Sequence, residues 1–122
     1  MKVDEAEELD RVLASLQNLY DIEGAAVITR NGILIKSTFP QNVDGQKFAA
    51  MSASMVGASE TVAALMNSFA KRIIIEIERG KVMALGAGPK AILVVSVDER
   101  TDIEKLTQEL EKHRKDIMKI FK

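Results

Sequence analysis

The sequence predicts an α/β domain of the α+β type, ordered α-ββ-α-βββ-α. One five-stranded antiparallel sheet is expected to carry the middle helix on one face and the two terminal helices on the other. Three observations lead there: helical periodicity at both ends, an Asn-Gly pair between two β-prone runs, and three glycine-punctuated strands after a long apolar helix. With 122 residues, 47% hydrophobic and 29% charged, the chain is expected to form a single domain over 1–122.

The first helix is read over residues 4–20, where Leu9, Val12, Leu13, Leu16, Leu19 and Tyr20 recur at steps of three and four among charged positions. Asp4 followed by Glu7 has the form of a capping box. In GAAVITRNGILIKST, two β-prone runs flank Asn31-Gly32, the pair that best tolerates the positive φ angles of a type I′ turn. The segment FPQNVDGQ then gathers Pro40, Asn42, Asp44 and Gly45, which break regular structure and leave Asp44 in position to cap the next helix.

Beyond the middle helix, strands are expected at 72–79, 81–86 and 91–97, separated by Gly80 and by a Gly88-Pro89-Lys90 turn. The run Ala91 to Val97 lacks polar alternation, which places it at the centre of the sheet with both faces covered. From Thr101 the chain reads as helix, with Thr101 and Glu104 as a second capping box and Ile103, Leu106, Leu110, Ile117 and Phe121 as the apolar stripe.

The middle helix, FAAMSASMVGASETVAALMNSF over residues 48–69, has Glu60 as its only charged side chain and therefore lacks a wet face. Phe48, Met51, Met55, Ala58, Val62, Leu65 and Phe69 share one stripe, expected to pack on the sheet. A second stripe, Ala50, Ser54, Gly57, Thr61, Ala64 and Ser68, holds only small side chains and permits close approach of another helix. Glycine inside a helix costs about 1 kcal/mol against alanine, so Gly57 implies a neighbour that uses the space. That neighbour is either a second copy of the chain or another helix of the same chain.

In RIIIEIE, Ile73, Ile75 and Ile77 lie on one face of a strand, and Ile74, Glu76 and Glu78 on the other. As an edge it either pairs with a second chain or is protected by its glutamates.

The element order, the segment IEGAAVITRNGILIKST and the helix FAAMSASMVGASETVAALM together resemble the roadblock family of dynein light chains and small-GTPase regulators, over about residues 5 to 112. Gly24, Asn31-Gly32 and residues 48–66 occupy the places of that family's opening glycine, hairpin turn and Ala-, Met- and Ser-rich helix. The resemblance implies a homodimer formed through the middle helix and the following strand, which fuses two sheets into one. It also implies a non-catalytic scaffold or regulator that binds a Ras-like small GTPase. GAGPKA stands where many members have a plainer Gly-Asp turn, and EKHRKDIMKIFK is longer and more basic than a minimal domain needs.

The interface is accordingly expected at Ala50, Ser54, Gly57, Thr61, Ala64 and Ser68, with Ile74 and Glu76 from the edge strand. The remaining sector of the helix, Ser52, Val56, Ser59, Glu60, Ala63 and Asn67, is expected to meet the partner protein, with Glu60 orienting it.

Little else points to chemistry. There is no cysteine, no phosphate-binding loop and no nucleophile elbow, and the single histidine, His113, falls beside an apolar stripe where a structural role is expected. No catalytic residue, metal ligand or cofactor is assigned. A net charge of -1 gives no general attraction for nucleic acid. The polar, acidic start and the lack of a spanning apolar run make a cytoplasmic location the expectation and membrane binding a minor alternative. A small-molecule sensor of similar architecture is the other alternative. Residues 1–10 sum to -4 (one Lys, five acids) and 112–122 to +4 (five bases, one Asp), so the two ends can complement each other or the basic one can serve an acidic partner.

Overall fold

The computed structural model describes residues 1–19 and 21–122; Tyr20, assigned to the first apolar stripe, lies outside the described residues. The observed order is α1 (Val3–Gln17), β1 (Ile22–Thr29), β2 (Leu34–Ser37), α2 (Gly45–Leu65), β3 (Ile73–Ile77), β4 (Gly80–Gly86), β5 (Ala91–Asp98) and α3 (Ile103–Ile120). The strands form one antiparallel sheet in the order β2-β1-β5-β4-β3, which leaves β3 and β2 as its edges.

The predicted layers are present. Leu9, Leu13 and Leu16 of α1 and Leu106, Leu110 and Ile117 of α3 form one core with Ala25, Val27, Met83, Leu93 and Val95. On the other face, Ala49, Ala53 and Val56 of α2 lie against Ala26, Ile28, Ala84, Ile92 and Val94. β5 runs between β1 and β4, and Ala91 to Val95 are all buried, as its unbroken apolar run requires.

Several local details differ from expectation. The β1–β2 connection is a three-residue loop, not a type I′ turn. Gly32 N–H donates to Thr29 O (3.0 Å), Thr29 N–H donates to Ile33 O (2.8 Å), and of Asn31-Gly32 only Gly32 has positive φ, at 91°. A turn followed by a left-handed glycine forms the bulged hairpin that this pairing matches. α1 starts earlier than predicted, and Glu5 rather than Glu7 reaches back, accepting from Lys2 N–H at 2.9 Å. α3 is capped by Asp102, which accepts from Lys105 N–H at 3.2 Å, whereas Thr101 is buried with its hydroxyl unpartnered. Asp44 caps α2 as expected, accepting from Lys47 N–H at 3.1 Å.

The larger correction concerns the faces of α2. The stripe expected on the sheet is turned mostly outward: Met51, Ala58, Val62, Leu65 and Phe69 are exposed, and only Phe48 and Met55 are half-covered at its margin. Ala49, Ser52, Ala53 and Val56 face the sheet instead. Small side chains let the helix lie close to a sheet surface formed by Ala26, Ile28, Ala84, Ile92 and Val94. By length and composition α2 is also apolar enough to cross a membrane, contrary to the reading that no such run exists. Only one of its sides is covered within the chain.

Candidate protein-interaction site

The outward side of α2 runs from Met51 to Phe69 and then onto β3. Leu65 is 80% and Phe69 94% exposed, and Met66 and, on the same face of β3, Ile77 are exposed as well. Single exposed apolar residues are ordinary, but a contiguous stripe on a small protein makes this side a candidate interaction surface. Gly57 lies at its middle, and no atom of the described residues stands within 4 Å of where its Cβ would be. The helix of the same chain that could have filled this space is absent among the described residues.

Ser54, Thr61, Ala64 and Ser68, assigned to the interface, are exposed beside Gly57. Ser54 Oγ donates to Ala50 O (3.0 Å) and Thr61 Oγ1 to Gly57 O (3.1 Å). Both hydroxyls are satisfied by their own helix, so covering them with another helix strands no donor. Ala50 is different. It is half-buried, and its backbone Cα would lie 3.1 Å from a Cβ on Gly32, so the hairpin turn already occupies that side. On β3, Ile74 pairs with Met83 and Glu76 with Lys81. Since Met83 belongs to the core beneath α1 and α3, both residues sit on the face away from α2.

The sector predicted for the partner protein does not form an open surface. Ser52 and Val56 are buried against the sheet, and Ser59 and Ala63 are half-buried. Asn67 (φ 55°) terminates the helix: Asn67 N–H donates to Ala64 O and Ser68 N–H to Ala63 O, the paired bonds of a left-handed C-terminal cap. Glu60 is exposed but occupied. Both its oxygens accept from Arg30 Nη1 at 2.9 Å, and Arg30 Nε donates to Gly88 O at 2.9 Å. Ser52 and Val56 lie inward because α2 turns this sector, and not the stripe of large side chains, toward the sheet.

Arg30 belongs to a group of charged residues that sequence reasoning missed. An open groove of about 630 Å³ beside the β4–β5 turn is lined by Arg30, Lys71, Arg72 and Arg114, with Glu60 and Glu111. Arg114 donates to Glu111 through Nε (3.0 Å) and Nη2 (2.7 Å), and to Gly86 O through Nη1 (3.3 Å); Arg72 pairs with Glu104. The Arg114 guanidinium holds the Glu111 carboxyl below the usual range, and Glu111 in turn raises Arg114. A Cβ at Gly86 would lie 2.5 Å from Arg30 Nη2, so a larger residue there would displace the end of that side chain. These residues are scattered over several elements, so no local motif could have announced them.

His113 has the expected structural setting. It is buried between α3 and α1, with Nε2 3.0 Å from Ser15 Oγ and Nδ1 3.3 Å from Glu109 O. The oppositely charged ends of the chain do come together: Glu8 and Lys119 line one groove between α1 and α3. No ion pair joins the two helices among the described residues. No cluster of three or more His, Asp or Glu side chains suited to a metal is found among the described residues either.

A helix-flanked five-stranded sheet with one apolar helix left uncovered defines a class of small α+β interaction domains. Residues 8–96 match the Roadblock/LC7 domain model, and the chain belongs to the Roadblock/LC7 family. The uncharacterized protein MJ0310 of Methanocaldococcus jannaschii is 34% identical over 96 residues, covering 78% of this chain and 83% of that one. Among solved structures, Myxococcus xanthus MglB superposes with a TM-score of 0.87 at 24% identity, covering 99% of this chain and 92% of that one. The gliding protein MglB of Thermus thermophilus superposes at 0.85 with 19% identity and coverage of 98% and 93%. Family membership fits a regulatory or scaffolding role.

Proposed function

We propose that this chain is a homodimeric, non-catalytic scaffold or regulator whose partner is a Ras-like small GTPase. One observation carries the dimer: the outward face of α2 is apolar, carries Gly57 open at its centre, and adjoins the free edge of β3. A twofold-related copy packing α2 on α2 around Gly57 covers this face. The same operation pairs β3 with its counterpart and extends the sheet across both subunits. The small stripe brings the helices close, while Met51, Val62, Leu65 and Phe69 flank the contact and remain partly available to a third protein.

The GTPase assignment rests on family membership and on the likeness to MglB, which is a likeness of fold. The test has two steps. Sedimentation equilibrium of the purified chain is expected to give a dimer; a monomer at high micromolar concentration overturns the proposal. The dimer is then mixed with Ras-like GTPases of its own organism in GDP and GTP forms, and both binding and hydrolysis are measured. Binding of neither form by any of them removes the GTPase reading and leaves the dimer standing.

A further inference from the structure

The groove at the β4–β5 turn continues into a second depression, because Pro89 and Met118 line both. The second depression is walled by Lys115, Lys119 and Lys122. Lys112, Lys115 and Lys119 recur at steps of three and four, so they share one stripe of α3, with Lys122 just beyond its end, and no ion pair joins any of the four to a carboxylate among the described residues. The joined surface is lined by seven cationic side chains and two carboxylates on a chain whose net charge is -1. Its three arginines are held by Glu60, Glu104 and Glu111, which fixes the guanidinium groups in place and leaves the lysines as the open charges.

We infer that this track binds an extended acidic segment of a partner protein, whose carboxylates follow the lysines and arginines while one apolar side chain sits on Pro89 and Met118. The inference does not depend on which protein covers the outward face of α2. The floor distinguishes this occupant from other polyanions. Proline and a thioether accept an apolar side chain, whereas single-stranded nucleic acid binds through aromatic stacking platforms, and no aromatic side chain among the described residues lines either depression. A flat anionic bilayer fits poorly for another reason. α1 packs beside α3 on the same sheet face and exposes Asp4, Glu7, Glu8 and Asp10, so a plane touching the lysines also meets this acidic helix. A narrow segment lying over Pro89 and Met118 follows depressions to which α1 contributes no residue among those described, although Lys119 also borders the groove toward α1.

The probe is a fluorescein-labelled peptide of glutamates with one central phenylalanine, titrated with the full chain at physiological salt and read by anisotropy. Saturable binding is expected. It should weaken at least about tenfold in the Lys115→Glu/Lys119→Glu variant, and also when the phenylalanine is replaced by alanine. Both lysines stand at the surface, so an unchanged melting temperature and sedimentation of the variant are expected and confirm that it is folded. Absence of binding, or binding indifferent to either change, overturns the inference. Tighter binding to a single-stranded oligonucleotide or to phosphatidylserine vesicles than to the peptide also overturns it and assigns the track to that anion.

Discussion

Glu60 of α2 grips Arg30, the residue just beyond β1, through both carboxylate oxygens, and Arg30 in turn holds the carbonyl of Gly88 in the β4–β5 turn. The lone charge of the 48–69 stretch thus serves as a strut between the helix and a loop. Glu60→Ala is expected to destabilise the fold by about 0.5 to 1 kcal/mol, the range of a solvent-accessible pair. Arg30→Ala is expected to cost about 2 kcal/mol, since it also removes a charged donor from Gly88 O. Urea denaturation of both singles and the double variant gives the coupling energy, and strict additivity contradicts the strut.

Replacing Gly57 by leucine probes the uncovered face. The side chain meets nothing within the subunit, so the monomer fold should keep its helical circular dichroism, with a small gain in helix propensity. The dimer proposed above has no room for it, and sedimentation should shift toward monomer or aggregate. A dimer untouched by this change places the interface elsewhere.

Gly32 combines a φ of 91° with the backbone of Ala50 only 3.1 Å from a would-be Cβ. Alanine there meets both the left-handed penalty and a contact with main chain that cannot rotate away. A loss of about 1 to 2 kcal/mol is expected for Gly32→Ala in chemical denaturation. A neutral result contradicts the bulged hairpin.

The acid limb of stability should carry a contribution from Glu111. Its carboxyl is held below its ordinary pKa by the Arg114 hydrogen bonds, so this stabilisation is present above the unfolded-state value and fades as pH falls through the folded one. Both partners are partly exposed, which limits the effect to no more than about 1 kcal/mol. Glu111→Gln should be less stable than the parent near pH 7 and converge with it below about pH 3, as followed by melting temperature. Parallel curves across that range contradict the pairing.

The sheet was legible because its signals are local or compositional. The apolar run Ala91 to Val97 could only be a strand covered on both faces, and Ile103, Leu106, Leu110 and Ile117 could only be the stripe of an amphipathic helix. α2 was legible as a helix but not in its orientation. Two of its sides are apolar, one holding large side chains and one small, and hydrophobicity alone assigns the larger to the core. In the structure neither of them packs on the sheet: a third sector, Ala49, Ser52, Ala53 and Val56, goes inward against Ala26, Ile28, Ala84, Ile92 and Val94. The larger side chains stay at the surface, and periodicity cannot distinguish a face left open from one packed within the chain. The arginine groove was invisible for the opposite reason: Arg30, Arg72 and Arg114 are far apart in the chain and meet only after the sheet and α3 are assembled.

Met51, Met55 and Met66 all belong to the exposed or half-exposed part of the middle helix and its cap. Unbranched thioether chains rearrange at little energetic expense, so this ridge can conform to more than one contour pressed against it. The same sulfurs are open to oxidants, and sulfoxide would turn a greasy ridge into a polar one without disturbing the sheet underneath.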